Sequence, residues 1–352
     1  MLDAAARALG ERVRVDGTTL LRERAEILHI APQGTVSAGG TCRLLPTRDG
    51  WIAMNLARAT DVDLLAAWMG HEWMSTNGDG VPWDAVEAAL TSMDTEPAVE
   101  RAQLLGIPAA AATAAPHVTD PVPVDRGGSA CWMGESPLVA DLSALWAGPL
   151  CARLLGGLGA RVVKCELAGR PDGARGGPPE FWDRLNGAKE HATLDVSAID
   201  RLLDGAAVVV TSARARAIEQ LGLDLAGRVR DRGLVWVAIT GYGYTGPWRD
   251  RVAFGDDAAV AGGLAVAAGG PDAPVFVGDA PADPLAGLTG AVGAAAALEM
   301  RSGAFIDVSM RDAVARALSR QTQTGDADEE RYAASTARCD HDLHEPLDQE
   351  VR

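Results

Sequence analysis

The sequence has little cysteine and few basic residues for its length. Its five cysteines are odd in number, scattered and without a CxxC pair. That pattern favours reduced cytosolic thiols over disulfides or a zinc site. Lys and Arg number 32 against 48 Asp and Glu, so the formal net charge is −16. A chain this acidic repels nucleic acid and anionic membranes, and we expect neither as a partner.

Long apolar runs are also missing. The Ala-rich stretches are broken by Gly, Pro and Asp before they reach the length of a membrane span. The first residues lack the basic and apolar regions of a secretory signal, so we expect a cytoplasmic protein. What the chain does have is 47% hydrophobic residues over 352 positions, enough for a large core and suggestive of two domains.

The first third predicts a small α+β domain over residues 1–115. Residues 1–28 have the pattern of a charged amphipathic helix, and CRLLPTRDGWIAMNL has that of a β-hairpin. Helical stretches follow around 60–70 and 83–105. Residues 116–137 are rich in Ala, Pro and Gly, a composition typical of a linker.

The rest of the chain changes character. Val- and Ile-rich strands alternate with helical patterns over residues 138–320, as in LVAD, RVVKCEL, AAVVVTS, GLVWVAIT and GAFIDVSM. Nearly continuous apolar strands of this kind predict an α/β fold, a Rossmann-like parallel sheet covered on both faces. The tail over 321–352 is polar and acidic, and its composition predicts at least partial disorder.

Two glycine-containing turns bear on ligand binding. GGLGA at 156–160 follows a helix instead of opening one, so its glycines predict a helix C-cap and not a dinucleotide site. The turn Trp146-Ala147-Gly148-Pro149 does open a helix, where free N–H groups can hold an anion.

Basic and glycine-rich loops are further candidates. An anionic ligand would meet a cluster of basic residues in the segment KCELAGRPDGARGGPPEFWDRLNGAKEHATLD, although a solvated loop is equally compatible with charge alone. Its members are Lys164, Arg170, Arg175, Arg184 and Lys189. Gly241, Tyr242 and Gly243 lie in ITGYGYTG, where glycine permits close backbone approach and an ordinary loop is the alternative. The acidic tail contains Cys and His, but their spacing fits no metal-site template.

Asp279 and Asp283 lie in VFVGDAPADPLAGLTGAVG, a segment otherwise dominated by apolar residues and glycine. Each could be an N-cap, whose oxygen accepts from free backbone N–H groups. Each could also be a carboxylate held in a cleft for chemistry. The residues alone leave both interpretations open.

Six strings occurring in one order resemble the family III CoA-transferases, the carnitine-dehydratase and bile-acid-inducible type. They are LVADLSALWAGPLCARLLGGLGARVVKCELAG, LNGAKEHATLDV, LGLDL, LVWVAITGYGYTGPWRD, PADPLAGLTGAVGAAAAL and IDVSMRDAV. The segments from GGTCRLLPTRDGWIAMNL to LLGIPAAA resemble the family's small domain, which normally follows the large one. The chain therefore resembles a circular permutant, or a piece of a tandem fusion.

The resemblance implies a CoA-transferase that moves CoA from an acyl-CoA thioester to a carboxylic acid. By register, Asp283 is the implied aspartate nucleophile, and Asp279 is then a turn or cap residue. Gly39 and Gly40 match the family's mobile glycine loop. The implied CoA site comprises Trp146, Ala147, Gly148, Lys164, Arg170, Arg175, Lys189, Gly241, Tyr242 and Gly243. The family implies a homodimer, often interlocked, with no metal and no permanently bound cofactor.

Two alternatives stay open. The same fold supports α-methylacyl-CoA racemases, which pair a His with the Asp, but Asp256 occupies the matching position here. A catalytically degenerate CoA-binding or partner subunit is the other. It is favoured by Glu190, which lies where a second cation would help to bind a CoA phosphate.

Overall fold

A computed structural model describes residues 16–70, 81–118, 124–129 and 136–320. The chain divides into two compact units, residues 1–315 and 316–352. The predicted tail, Cys131 and Cys339, and the first half of the predicted N-terminal helix lie outside the described residues.

The described elements alternate in type along the second half of the chain. The helices are α1 Gly17–Leu28, α2 Ala59–Asp63, α3 Leu65–Met69, α4 Trp83–Leu90, α5 Thr95–Leu105, α6 Ala147–Gly157, α7 Pro179–Asn186, α8 Val196–Leu203, α9 Ala215–Gln220, α10 Leu225–Arg232, α11 Gly255–Ala261, α12 Leu264–Gly269 and α13 Ala282–Glu299, with a 3₁₀ turn at Gly173–Gly176 and a helical stretch at 310–320. The strands are β1 Cys42–Pro46, β2 Trp51–Asn55, β3 Ala109–Ala111, β4 Val124–Ser129, β5 Leu138–Asp141, β6 Arg161–Leu167, β7 Glu190–Leu194, β8 Val208–Thr211, β9 Val235–Thr240 and β10 Ser302–Ser309.

The N-terminal part contains an antiparallel sheet in the order β1-β2-β3. The predicted hairpin is confirmed, with Pro46 opposite Trp51 next to the turn. The inner face of this sheet packs against α3, α4 and α5 around the fully buried Trp68. Burial of such aromatic and aliphatic side chains is the main source of stability for a small layer of this kind.

The helical stretch predicted over 83–105 is interrupted between α4 and α5. The hairpin turn causes the break, because Asp49 accepts hydrogen bonds from the Thr95 backbone N–H at 2.8 Å and from its hydroxyl at 2.7 Å. Arg48 also pairs with Asp94 at 2.5 Å. A side chain distant in sequence thus satisfies the free N–H at the start of α5. The local sequence therefore gives no indication that a new helix begins there.

The large sheet has seven strands in the order β4-β10-β9-β8-β5-β6-β7. Every neighbouring pair from β10 to β7 is parallel, and β4 joins β10 antiparallel at the edge. The predicted α/β fold with its parallel sheet is confirmed. Strand β4 lies within the segment predicted to be a linker, and the proposed domain boundaries themselves stay a prediction.

The order of strands defines where a ligand fits best. The chain runs from β5 outward to β6 and β7, then returns to the other side of β5 with β8 and continues to β9 and β10. The carboxyl ends of β5 and β8 therefore form a topological switch point, the place where ligands bind in open α/β sheets. The loops after these strands touch, because the Ala144 N–H donates to the Ser212 hydroxyl at 2.8 Å.

Candidate active site

Asp283 lies in the first turn of α13, which packs against α6 and against β9 and β10. It is partly exposed, although protein atoms surround its carboxylate on most sides. A Cβ at Gly255 would lie 2.1 Å from Asp283 Oδ2, so only glycine permits this close approach of α11. Burial raises the pKa of Asp283 to about 7, against the charge of Arg24 and a hydrogen bond from the Ala147 N–H.

Four aspartates form what we call the carboxylate cluster: Asp283, its neighbours Asp256 and Asp279, and Asp257, which lies beside Asp256. Burial and the charge of Asp279 raise the pKa of Asp256 to about 6. Burial raises that of Asp257 to about 7. The cluster thus holds carboxyl groups that can carry or lose a proton near neutral pH.

Backbone and amide donors fix the orientation of the two α11 carboxylates. Asp256 accepts from the Ala280 N–H at 3.0 Å. Asp257 accepts from Asn55 Nδ2 and from the Phe254 N–H, each at 3.0 Å. Since Asn55 ends β2, the small sheet contacts the carboxylate cluster directly.

Asp279 is an ion-pair residue and not a helix cap. Its Oδ1 lies 2.5 Å from the Arg24 guanidinium, and the α13 N-cap position, Pro281, has no side-chain cap bond. Asp279 was predicted to be a turn or cap residue: it lies in the bend before α13 but makes no cap bond, because its partner comes from α1, 255 residues away in sequence. Burial raises the pKa of Asp279, and the charge of Arg24 opposes that rise.

The predicted turn at Trp146–Gly148 lies beside Asp283. Ala147 begins α6 and directs its N–H at the Asp283 carboxylate. Trp146 is buried, stacks edge-on against Phe181 at 5.1 Å between ring centroids, and lies 5.6 Å from the Arg24 guanidinium carbon. A Cβ at Gly148 would lie 2.2 Å from Ser143 Cβ, so glycine is required for this tight entry into the helix.

The two predicted lysines are buried in ion pairs. Lys164 is fully buried and donates to Asp172 Oδ2 at 2.8 Å and to the Ser143 carbonyl. Lys189 donates to Asp141 Oδ2 at 2.8 Å. Burial lowers the pKa of Lys189, although the Asp141 charge opposes it. As they stand, both ammonium groups are enclosed by protein acceptors and hold the loops after β5 and β6 in place.

The two predicted arginines lie on the exposed loop after β6. Arg175 pairs with Glu166 at 2.5 Å and stacks over Trp182 at 4.3 Å, while keeping part of its side chain in solvent. Arg170 is exposed. Glu190, the acid in place of a second cation, is paired with Arg161 at 2.6 Å, which offsets part of its repulsion of an anion.

The glycine pair and the β9 loop approach the cluster from other sides. Gly39 and Gly40 form a turn in which the Gly40 N–H donates to the Ser37 carbonyl at 2.9 Å. The Ser37 side chain in turn hydrogen-bonds to Asp256. In the β9 loop, Gly241 leaves no room for a Cβ, which would lie 2.6 Å from Ala253 Cβ.

Gly243 has a φ of 96°, which favours glycine. Between these two glycines, Tyr242 packs edge-on against Trp248 at 5.7 Å. Burial and the charge of Asp257 raise the pKa of Tyr242, which relates this loop to the same cluster.

A cavity of about 840 Å³ extends from the loops after β8 and β9, and it was not predicted from the sequence. Its basic and aromatic lining comprises Arg214, Arg216, Trp248 and Arg251. Arg214 and Arg216 are exposed and directly follow β8, at the switch point. The signal was present in SARARAI after a predicted strand, but the aromatic partner lies more than thirty residues further on.

Neither a membrane span nor a metal cluster is found where the structure describes the chain. No helix in those ranges is long and apolar enough to cross a bilayer. No group of three or more His, Cys, Asp or Glu in the same ranges could hold a metal ion. Cys42, Cys151 and Cys165 are buried free thiols.

Fold and site together define an α/β protein with a carboxylate at a helix start beside the switch point of a parallel sheet. The model of CoA-transferase family III matches residues 137–344, more than half of the chain. The protein belongs to this family, as the resemblance predicted.

Curated relatives support the same membership. The succinyl-CoA–D-citramalate CoA-transferase of Chloroflexus aurantiacus is 31% identical over 195 residues, covering 50% of this chain and 48% of the relative. The alpha subunit of that organism's succinyl-CoA–L-malate CoA-transferase is 29% identical over 264 residues, covering 69% and 57%. The chain thus spans about half the length of the curated relatives it matches.

Among solved structures, a CAIB/BAIF family protein from Brucella suis is similar at 25% identity and a TM-score of 0.47. The match covers 56% of this chain and 58% of that one.

Proposed function

We propose that the protein transfers CoA from an acyl-CoA thioester to a carboxylic acid through a covalent intermediate on Asp283. An Asp283 oxygen attacks the thioester carbonyl carbon, the C–S bond breaks, and a mixed anhydride and CoA thiolate result. The thiolate then attacks the aspartyl carbonyl carbon, which releases the donor acid and leaves an aspartyl-CoA thioester. An acceptor carboxylate repeats these steps in reverse and leaves as its CoA thioester.

One observation carries the proposal: Asp283 is partly exposed at a helix start and receives the N–H of Ala147 from a second helix start. Two helix N-termini stabilise negative charge at one point, on the carboxylate before attack and on the oxyanion during it. A pKa of about 7 leaves a large ionised fraction at neutral pH. The desolvated carboxylate is also a stronger nucleophile than one in water.

Shielding the intermediate from water is assigned to the turn at Gly39 and Gly40. An anhydride or thioester on Asp283 would hydrolyse if water reached it freely. The turn is exposed, and Ser37 at its start contacts Asp256, next to the nucleophile in the carboxylate cluster. A small movement of this turn would cover the substrate.

The anionic end of CoA is assigned to the carboxyl edge of the large sheet. Two exposed arginine pairs flank it, Arg170 with Arg175 after β6 and Arg214 with Arg216 after β8. Guanidinium groups bind phosphates bidentately. The buried Lys164 and Lys189 are assigned an indirect part, since they donate to the Ser143 and Pro149 carbonyls on either side of the predicted turn at Trp146–Gly148.

We propose a homodimer in the cytoplasm, with acyl-CoA and a carboxylic acid as its small-molecule partners and no permanently bound cofactor. The circular permutation remains part of this proposal. Light scattering of the purified chain distinguishes a dimer from a monomer.

Intact-mass spectrometry tests the nucleophile. Wild type, Asp283→Asn and the exposed-loop control Asp272→Asn are incubated with a panel of acyl-CoAs, then quenched with hydroxylamine. We expect a hydroxamate or CoA adduct on wild type and the control, mapped to Asp283, and none on Asp283→Asn, because an amide cannot form the anhydride. The acyl-CoA that gives the adduct identifies the donor class.

A protein that binds CoA yet forms no adduct with any acyl-CoA contradicts the aspartyl mechanism. The racemase is then the second candidate, with Asp256 near Asp283 at the position of the racemase His, although a second carboxylate is a poor substitute for that His. Deuterium uptake at the α-carbon of a 2-methylacyl-CoA in D₂O would identify it. Failure to bind CoA at all favours the degenerate subunit.

Calorimetry of CoA binding to two double variants and one single control variant tests the CoA-binding assignment. We expect Arg170→Gln with Arg175→Gln, or Arg214→Gln with Arg216→Gln, to weaken CoA binding by about tenfold or more, because charge-assisted contacts are lost. Acyl-pantetheine lacks the nucleotide phosphates, so its binding affinity should change little in the same two double variants. Arg230→Gln, on the exposed side of α10, is the control. Unchanged CoA affinity in both double variants contradicts the assignment.

A further inference from the structure

We propose that Arg24 is a positioning residue that keeps Asp283 ionised, and that Asp279 limits this effect by pairing with the same guanidinium. This inference rests on the proposed function in so far as Asp283 is the nucleophile. The effect of Arg24 and Asp279 on the ionisation of Asp283 does not depend on that function. Arg24 then favours the ionised form of Asp283, and Asp279 opposes it.

Arg24 is held by contacts on three sides. Its guanidinium lies 2.5 Å from Asp279 Oδ1 and its central carbon lies 5.6 Å from the Trp146 ring and 5.9 Å from the Phe181 ring. Guanidinium groups stack favourably on aromatic faces and are less strongly hydrated than ammonium groups. The side chain is 27% exposed, so the charge is only partly screened by solvent.

The ion pair between Arg24 and Asp279 leaves one oxygen of Asp279 without a partner among the described residues. Asp279 is fully buried, and its second oxygen, Oδ2, has no hydrogen-bond partner among the described residues. A lone structural ion pair in so buried a place usually has its remaining oxygen satisfied, because an unmet buried acceptor costs stability. The chain from this pair to the nucleophile is one short turn, in which the Asp283 N–H donates to the carbonyl of Ala280, the residue after Asp279, at 3.0 Å.

The charged groups that face Asp283 come from three elements and a bend. Helix α1 contributes Arg24, helix α11 contributes Asp256, and the bend before α13 contributes Asp279. Helix α6 contributes the Ala147 N–H. Arg24 is the cation among these side chains, and its charge lowers the pKa of Asp283, whereas Asp256 and Asp279 raise it.

Opposite shifts follow from removing each member of the pair. Arg24→Gln removes the favourable cation, so the pKa of Asp283 should rise. Asp279→Asn removes a negative charge and leaves Arg24 unpaired, so the pKa of Asp283 should fall. Loss of packing in either variant would not produce shifts of opposite sign.

The experiment titrates Asp283 directly, by NMR of protein labelled with ¹³C at the aspartate carboxyl carbon. The Asp283 signal is assigned by its absence in Asp283→Asn. Wild type, Arg24→Gln, Arg24→Lys and Asp279→Asn are compared, with Arg22→Gln on the exposed side of α1 as the control. We expect an upward shift in Arg24→Gln, partial rescue by Lys, a downward shift in Asp279→Asn, and none in the control.

A second arm measures the rate of adduct formation against pH. The acidic limb of the profile should move with the NMR titration, so that Arg24→Gln loses about tenfold or more at the acidic end and recovers at alkaline pH. Unchanged Asp283 titration, or shifts of the same sign in both variants, overturns the positioning role. NMR shifts of the expected signs without any adduct in wild type support the positioning role and contradict the proposed transferase mechanism.

Discussion

At the scale of single residues, the site depends on carboxylates that are kept out of water. Asp257 is fully buried, its Oδ2 has no partner among the described residues, and its pKa is raised to about 7. The ordinary value of an aspartate lies near 4, so the folded state binds a proton that the unfolded state releases between about pH 4 and pH 7. Stability contributed by this group is present at low pH and lost as the pH rises through 7.

Asp257→Asn should therefore raise the melting temperature at about pH 8 more than at about pH 5. An amide keeps the acceptor for Asn55 and Phe254 and cannot ionise, so the cost of a buried charge, on the order of a few kcal/mol, is removed. Calorimetric melting at both pH values measures the difference. An equal change at the two pH values would show that Asp257 is not the group that titrates.

Asp283 and some of its neighbours could be named as candidates from the sequence, but others could not. Asp283 follows from a string that resembles the family over consecutive residues, and the turn at 146–148 follows from another such string. Arg24 and Gly255 could not be found in this way, because each acts through a contact with a residue remote in sequence. The ion pair of Asp279 could not be found for the same reason, since a turn or a cap is a local pattern and the partner of Asp279 is distant in sequence.

At the scale of elements, α13 positions Asp283 through a face of small residues. A Cβ at Gly287 would lie 2.6 Å from the Ala147 carbonyl oxygen, and one at Gly290 would lie 2.9 Å from Val237 Cγ1. Helix α13 therefore lies closer to α6 and the sheet than any larger side chain permits. The parallel strands beneath were predictable from continuous apolar runs, but this close helix contact was not, because glycine lowers helix propensity and weakens the pattern.

Gly287→Ala should destabilise the protein by about 1 to 3 kcal/mol, since a new methyl group meets backbone oxygen that cannot yield. On an exposed helix the same change would stabilise by about 1 kcal/mol, so the sign itself is diagnostic. Gly293→Ala is the matched control, because its nearest neighbour is an Ile306 methyl group at 3.2 Å. Urea unfolding measures both, and an equal effect would contradict a special contact at Gly287.

At the scale of the whole molecule, the class of fold was the most predictable property and the arrangement of its parts the least. The alternation of strands and helices can be predicted from patterns of consecutive residues, and the large sheet has the predicted parallel strands. The strand at 124–129 escaped prediction because VDRGGS has almost no apolar residues, and it is held by antiparallel pairing with β10. Contacts such as Asn55 with Asp257 join segments 202 residues apart, which no local pattern encodes.

The glycine contact between α13 and α6 has a consequence for the kinetics of the proposed reaction. The carboxylate of Asp283 and the N–H of Ala147 belong to two helices that lie against each other and against one sheet. Their mutual orientation is thus set when the chain folds and does not have to be found at each turnover. The activation entropy of the covalent step should then be small, and its barrier should be chiefly enthalpic.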